Sequence, residues 1–424
     1  MNQEAFAAIA IFILIFGSVS RKLEQSIITP PMAYVVFGLL ISPWGLGLIE
    51  VNITNEIIRI IAEITLAIVL FTDASRIQPK MLRQEYKLPL RLLGIGLPIT
   101  IILGTLLGSL LFSTELNFWS AAALSTILAP TDAALGQAVV NSSQIPGSIR
   151  QAINVESGLN DGICLPILLL FLSLAEQVGS NAGYWIAFAG KQIVFGAAIG
   201  IVVGYFGTKL IIESLRYKWM TNSFEDLAIL GLSILAYTCA EIVGGNGFIA
   251  AFSAGLTLGF IGTRSILQCL QEFGEAEGQL LTLISFLLYG AVMITPSIAN
   301  ATWQVWLYAV ASLTISRILG VAIALSGLKL QLESILFVGW FGPRGIASIV
   351  YGLLIVDREN LPGGDLLFTT MVVTVLISVF AHGITAFPGS IWYAKHISHQ
   401  KDLGDKMPEM DFAPELPVRL PWHK

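Results

Sequence analysis

Ala129-Pro130-Thr131-Asp132 lies inside an apolar run that extends from residue 118 to residue 140. Proline removes a backbone donor and clashes with the preceding helical turn. At membrane depth this frees carbonyl oxygens, which is tolerated only inside protein or beside a wet cavity. A second apolar run, 332–357, carries Gly342-Pro343-Arg344-Gly345 near its middle. Apolar runs long enough to span, at about 20 residues each, fall at 4–20, 30–49, 56–75, 88–113, 118–140, 151–175, 184–213, 224–242, 247–263, 278–298, 303–327, 332–357 and 364–393. The two proline-bearing runs are the fifth and twelfth of these 13. Seven apart, they run in opposite directions. Position, not residue identity, therefore predicts an inverted 6+1+6 repeat with span 7 as linker and discontinuous helices at spans 5 and 12. Interrupted segments in matching positions of two halves point to a transporter site at the bilayer midplane.

Composition sets the class. Of 424 residues, 55% are apolar and 12% charged, and the mean hydropathy is +0.78. A soluble domain carries about 25% charged residues. A soluble enzyme, a disordered chain and a nucleic-acid binder are excluded; an all-α polytopic membrane protein is predicted. Cys164, Cys239 and Cys269 lie far apart without pairing or zinc spacing. The opening Ala5–Phe16 lacks a basic flank and reads as the first span, not a removed signal peptide.

Lysine and arginine set the orientation. Alternate loops carry Arg21 and Lys22; Arg76, Lys80, Arg83 and Lys87; Arg150; Arg216 and Lys218; Arg264; and Lys329. The tail adds Lys395, Lys401, Lys406, Arg419 and Lys424, and Arg358 is the main exception on the other side. The basic side faces the cytoplasm, which puts the N-terminus outside and the C-terminus inside. Residues 1–394 form the membrane domain and 395–424 a short cytoplasmic tail. Ser265–Gly278 reads as an interfacial amphipathic helix or a helical extension.

Charge within the spans is the functional signal. Asp73, Asp132, Glu156, Asp161 and Arg344 all fall in apolar runs. Each costs about 2.5–3.5 kcal/mol at a helix centre, so they must pair or line a wet cavity. In Glu156-Ser157-Gly158-Leu159-Asn160-Asp161-Gly162, positions i and i+4 share a face. Ser157 and Asp161 form one stripe, Glu156 and Asn160 the next, and the glycines let another helix approach. Freed carbonyls, the Thr131 hydroxyl and the Asp132 carboxylate are hard oxygen ligands that suit a small alkali cation. Asp132 also suits a cap on a broken helix. Asp73 ends span 3, either in the site or as an interfacial partner of Arg76. Arg344 keeps its proton and needs a carboxylate, Glu156 or Asp132. Lys191, Glu63, Glu241 and Arg317 read as residues near helix ends that can snorkel. A lone histidine such as His382 reads as a packed hydrogen-bond partner rather than a proton relay. One carboxylate that holds a proton or a cation in turn couples the two by competition. Asn160, unlike a second aspartate, adds no proton, which favours an electroneutral cycle.

At these residues the chain resembles the monovalent cation/proton antiporters of the sodium/proton exchanger (NhaP) type. The resemblance covers nearly the whole chain. It rests on Thr131-Asp132 in span 5, Glu156-Ser157 and Asn160-Asp161 in span 6, and Gly342-Pro343-Arg344-Gly345 in span 12. It implies a homodimer with a dimerisation part (spans 1–3 and 7–10) and a mobile core (spans 4–6 and 11–13) that moves like an elevator. It implies Asp161 as the central cation and proton carboxylate, with Thr131, Ser157 and Asp73 as further Na+ ligands. It implies Asn160 held by Asp132, and Glu156 paired with Arg344. The usual proline after Thr-Asp is Ala133 here, and span 3 has Thr72-Asp73-Ala74-Ser75-Arg76 in place of a glutamate followed by glycines.

The expected activity is exchange of Na+ or Li+ for H+, without a cofactor or enzymatic chemistry, in the plasma (inner) membrane of a bacterium. A K+/H+ exchanger of the same superfamily is the rival reading. An intramembrane aspartyl protease would show Gly-x-Gly-Asp where this chain has Leu159-Asn160-Asp161, and a channel would show repeated filter loops.

Overall fold

The computed structural model describes residues 3–23, 26–49, 56–75, 87–132, 135–136, 139, 142, 144–176, 182–356, 358 and 360–402. Among the described residues the regular structure is helical, without a strand. Seven helices are long and apolar enough to cross a membrane: Gln3–Leu23, Lys87–Leu111, Gly147–Ala175, Gly190–Arg216, Gly278–Asn300, Trp303–Leu325 and Gly364–Ile397. Shorter apolar helices are Pro30–Ile41, Phe118–Ile127, Leu227–Val243, Gly247–Ile261 and Ile346–Val356.

Local chemistry sets the helix ends. Pro30 and Pro31 open their helix, where a missing N–H costs nothing. Asn117 caps Phe118–Ile127, its Oδ1 accepting the Ser120 N–H at 2.7 Å. Asn246 does the same for Gly247–Ile261 through Ile249 N–H at 3.0 Å. Gly244, at φ 78°, closes Asn222–Val243 in the left-handed region that glycine tolerates. Three π-turns interrupt long helices, at Leu92–Gly96, Tyr289–Met293 and Ser312–Ser316. Sequence periodicity does not reveal such one-residue insertions, although they recur at functional sites. The expected segment Ser265–Gly278 is helical, part of Arg264–Leu288. The Asp73–Arg76 pairing and residues 403–424 of the expected tail lie outside the described residues.

Packing gathers the helices into two groups. In one, Ala182–Arg216, Asn222–Val243 and Gly247–Ile261 pack together and onto Glu56–Ser75, and Arg264–Leu288 lies across Pro30–Ile41 and Glu56–Ser75. Small residues set the spacing: a Cβ at Gly200 or Gly204 would overlap the backbone of Ala250 or Ala254. Close backbone approach of this kind is what holds helices together in lipid. In the other group, Phe118–Ile127 packs between Leu97–Leu111 and Gly147–Ala175, and Gly364–Asp402 backs Ile346–Val356 and Trp303–Ala311. The groups meet at several contacts, among them Gly147–Ala175 against Ala182–Arg216 and against Glu56–Ser75, where Asp73 faces Gly158: a Cβ there would stand 3.8 Å from Asp73 Cβ.

Arg358, the exception to the charge bias, has a local partner. Its Nη1 lies 2.9 Å from Glu176 Oε1 at the far end of Gly147–Ala175.

Candidate functional site: two helix breaks facing a carboxylate

The helix that begins at Phe118 stops at Ile127, and residues 128–132 are not helical. The helix from Leu332 stops at Trp340; residues 341–345 are not helical before Ile346–Val356 resumes. These are the two proline-bearing stretches, and they meet. Asp132 N–H donates to the Pro343 carbonyl at 2.7 Å.

Each break satisfies the other. Arg344 Nη1 donates to the carbonyls of Ala129 (2.7 Å) and Pro130 (3.1 Å), and the Ser348 hydroxyl donates to that of Ile127 (2.8 Å). These are the acceptors a helix C-terminus leaves exposed. In return Asp132 Oδ2 accepts the Ile346 N–H at 3.1 Å, capping the second half-helix. A cation stands at the negative end of one helix and an anion at the positive end of the other, each placement worth roughly 0.3–2 kcal/mol. Gly345 is required here, because a Cβ would land on the Asp132 carboxylate.

Beside this contact stands one wall of Gly147–Ala175. Thr131 Oγ1 lies 2.9 Å from Ser157 Oγ and accepts the Asn160 side-chain amide at 2.7 Å. The sequence pattern thus brings Thr131, Ser157 and Asn160 into one buried chain. The resemblance made Asp132 the holder of Asn160; the bond its amide makes here is to Thr131. Asp161, 6% exposed, keeps Oδ1 buried without a hydrogen-bond partner, and so does the Asn160 Oδ1. Tyr351 donates to the Asp161 main-chain carbonyl at 2.5 Å, fixing that turn against Ile346–Val356. Among the described residues no three His, Cys, Asp or Glu side chains gather as a metal-ligand set. The oxygens on offer are a carboxylate, an amide and two hydroxyls, hard donors without nitrogen or sulfur.

The expected Glu156–Arg344 ion pair is not formed. Glu156 is held instead by Arg317, whose Nη1 and Nη2 reach Oε1 and Oε2 at 2.5 and 2.8 Å. Arg344 is engaged by main-chain carbonyls, a partner type that carboxylate counting overlooks. Arg317, expected near a helix end and able to snorkel, is 2% exposed. It directly follows the π-turn Ser312–Ser316. Gly342 leaves room for it: a Cβ there would press on the guanidinium. The available signal was its place, well inside the 303–327 run. Tyr351, Ser348 and Ser378 were also unread, because hydroxyls in apolar helices are common and only tertiary contact singles these out.

The family described as sodium/hydrogen exchanger, transmembrane, matches residues 7–392. A protein named K(+)/H(+) antiporter NhaP, from Alkalimonas amylolytica, is 25% identical over 95% of this chain and 70% of its own. The Na(+)/H(+) antiporter NhaS2 of Synechocystis is 25% identical over 88% of this chain and 68% of its own. A Na(+)/H(+) antiporter of Saccharomyces cerevisiae is 27% identical over 82% of this chain but only 37% of its own length. In fold, the chain resembles the sodium proton antiporter MjNhaP1 of Methanocaldococcus jannaschii, with a TM-score of 0.75 at 20% identity, covering 93% of this chain and 99% of that one. The chain therefore belongs to the transmembrane sodium/hydrogen exchanger family, among monovalent cation/proton antiporters of the NhaP type, which are transporters and not enzymes.

Proposed function

We propose that this protein exchanges Na+ or Li+ for H+, one for one, with both ions competing for Asp161. The observation that carries this reading is the pair of buried, unpartnered oxygens on Asp161 and Asn160 beside the Thr131–Ser157 hydroxyls. A buried polar atom left unpaired is costly, and here a cation or a proton relieves it. Asp161, Ser157, Thr131 and Asn160 supply the oxygens, with Asp73 at the approach from the neighbouring helix group.

Charge supports an electroneutral cycle. Arg317 offsets Glu156. Asp161 is neutral when protonated and neutralised when it holds one monovalent cation. Both loaded forms then carry the same net charge, so reorientation moves none across the membrane field.

The wider architecture follows on this reading. Spans number 13 in a 6+1+6 inverted repeat, with spans 5 and 12 crossing at the midplane. Spans 4–6 and 11–13 form a core that moves as an elevator against spans 1–3 and 7–10. The protein is a homodimer in the plasma (inner) membrane, N-terminus outside and C-terminus cytoplasmic. The helix Gln3–Leu23 exposes Phe6, Leu14 and Ile15, an apolar face suited to lipid or to a second copy.

The test is dequenching of a pH dye in proteoliposomes, with Na+, Li+ and K+ added in turn and the voltage clamped in a parallel run. Na+ or Li+ signals indifferent to the clamp are expected, with the apparent KM rising as the medium is acidified and Vmax unchanged. A response to K+ alone would establish the second reading, K+/H+ exchange, which the name of the Alkalimonas relative favours. Rates that follow the clamped voltage would overturn one-for-one exchange.

A further inference from the structure

His382 lies on Gly364–Asp402, takes no part in the proposed cycle, and is 1% exposed. Its Nδ1 is 2.9 Å from the carbonyl of Ser378 and 3.1 Å from the Ser378 hydroxyl. That hydroxyl accepts the Arg344 main-chain N–H at 2.6 Å. The imidazole also packs, tilted by 34°, with its centroid 5.0 Å from the ring of Trp340, whose Nε1 donates to Thr385 Oγ1 at 2.9 Å. One face of this helix thus grips both ends of the 341–345 break: Ser378 at Arg344, and His382 with Thr385 at Trp340.

A carbonyl only accepts, so the contact at Nδ1 calls for a proton there. Nε2 is buried without a hydrogen-bond partner. The Trp340 carbonyl forms no hydrogen bond with Nε2, which has no partner in bonding geometry. With one proton to place, the neutral ring puts it on Nδ1, against the Ser378 carbonyl, and leaves Nε2 as the bare acceptor. The opposite tautomer would set lone pair against lone pair at that carbonyl and leave the Nε2 donor without an aligned acceptor.

We propose that His382 is a positioning residue for ion exchange, acting as the neutral Nδ1–H tautomer to hold Ser378 under Arg344 and so fix the non-helical segment 341–345 where the two breaks meet. It touches neither cation nor proton site. Its effect runs through Ser378 to Arg344, and from Arg344 to the Ala129 and Pro130 carbonyls beside Thr131. This rests on the exchange reading for its transport arm, but not for its spectroscopic arm.

Two side chains separate the nitrogens. His382→Asn places an N–H near the position of Nδ1, whereas His382→Gln places one near Nε2. In proteoliposomes His382→Asn is expected to keep the wild-type rate. His382→Gln is expected to lose Vmax by about tenfold, the scale of one lost hydrogen bond, with the cation KM within twofold and normal yield. Equal rates for the two variants, or a KM change matching the Vmax loss, would overturn the proposal. Independently of transport, 15N spectra of histidine-labelled protein, with His396, His399 and His423 replaced, should show the Nδ1–H tautomer at pH 8. An Nε2–H signal or an imidazolium would overturn it. If wild type moved no alkali cation, the exchange reading would fail while the spectrum still decided the tautomer.

Discussion

Two carboxylates five residues apart on the same helix meet opposite fates. Glu156 is enclosed by the Arg317 guanidinium through both oxygens. Asp161 has a buried oxygen with no hydrogen-bond partner. Both side chains are buried, so depth does not separate them. What separates them is whether the protein supplies the counter-charge. Where it does, the pair is part of the frame. Where it does not, the carboxylate is left for a mobile ion. The lesson concerns membrane sites generally: the informative acid is the incompletely partnered one, not the most buried one.

The comparison breaks most sharply at Asp161. Asp161→Asn should abolish dye dequenching for every cation while leaving the melting temperature in detergent within a few degrees of wild type, because no ion pair is lost. The opposite pattern is expected one turn earlier. Arg317→Ala should strand Glu156 and destabilise by about 3–5 kcal/mol, read as collapsed yield or a lowered melting point. The double change Glu156→Leu with Arg317→Met should recover much of that stability, since an apolar pair often replaces a buried ion pair without loss. If Asp161→Asn also collapsed the fold, the division between frame and site would be wrong.

Smaller changes sharpen the boundary. Ser157→Ala removes one hydroxyl from the oxygen set and from its contact with Thr131. It should raise the cation KM about tenfold, the scale of one hydrogen bond or ligand, with Vmax kept. Tyr351→Phe removes only the bond to the Asp161 carbonyl. A loss of about 1 kcal/mol is expected, seen as a slightly lowered melting point and a rate within a few-fold of wild type.

Much of this was legible in the residues, and the missing part has a physical cause. Proline in the middle of an apolar run announces a broken helix, so both breaks could be located from the chain alone. The i, i+4 stripe places Ser157 and Asp161 on one wall from the chain alone. Partnership is not legible in the same way. Arg344 needs a partner; counting carboxylates offers Glu156 or Asp132, and the family resemblance implies Glu156. The exposed carbonyls of a helix that ends at Ile127 serve as well, but they belong to the backbone and leave no mark in composition. Arg317 follows a π-turn, and no residue type announces a π-turn. Hydrophobicity and proline report where the chain runs; side-chain pairing across about 160 or more residues depends on three-dimensional register.

The reciprocal capping of the two breaks also has a consequence in time. Asp132 bonds Ile346 across 214 residues, and Ile127 waits for Ser348 across 221. During synthesis at about 5–20 residues per second, the first break therefore stays uncapped by the second for roughly 10–40 seconds. Throughout that interval the nascent first half exposes backbone acceptors that lipid cannot satisfy. It must be sheltered by the insertion machinery or remain close to water until the second half arrives. A chain stopped before residue 344 would be recognisable to quality control by that unsatisfied end, however complete its preceding spans.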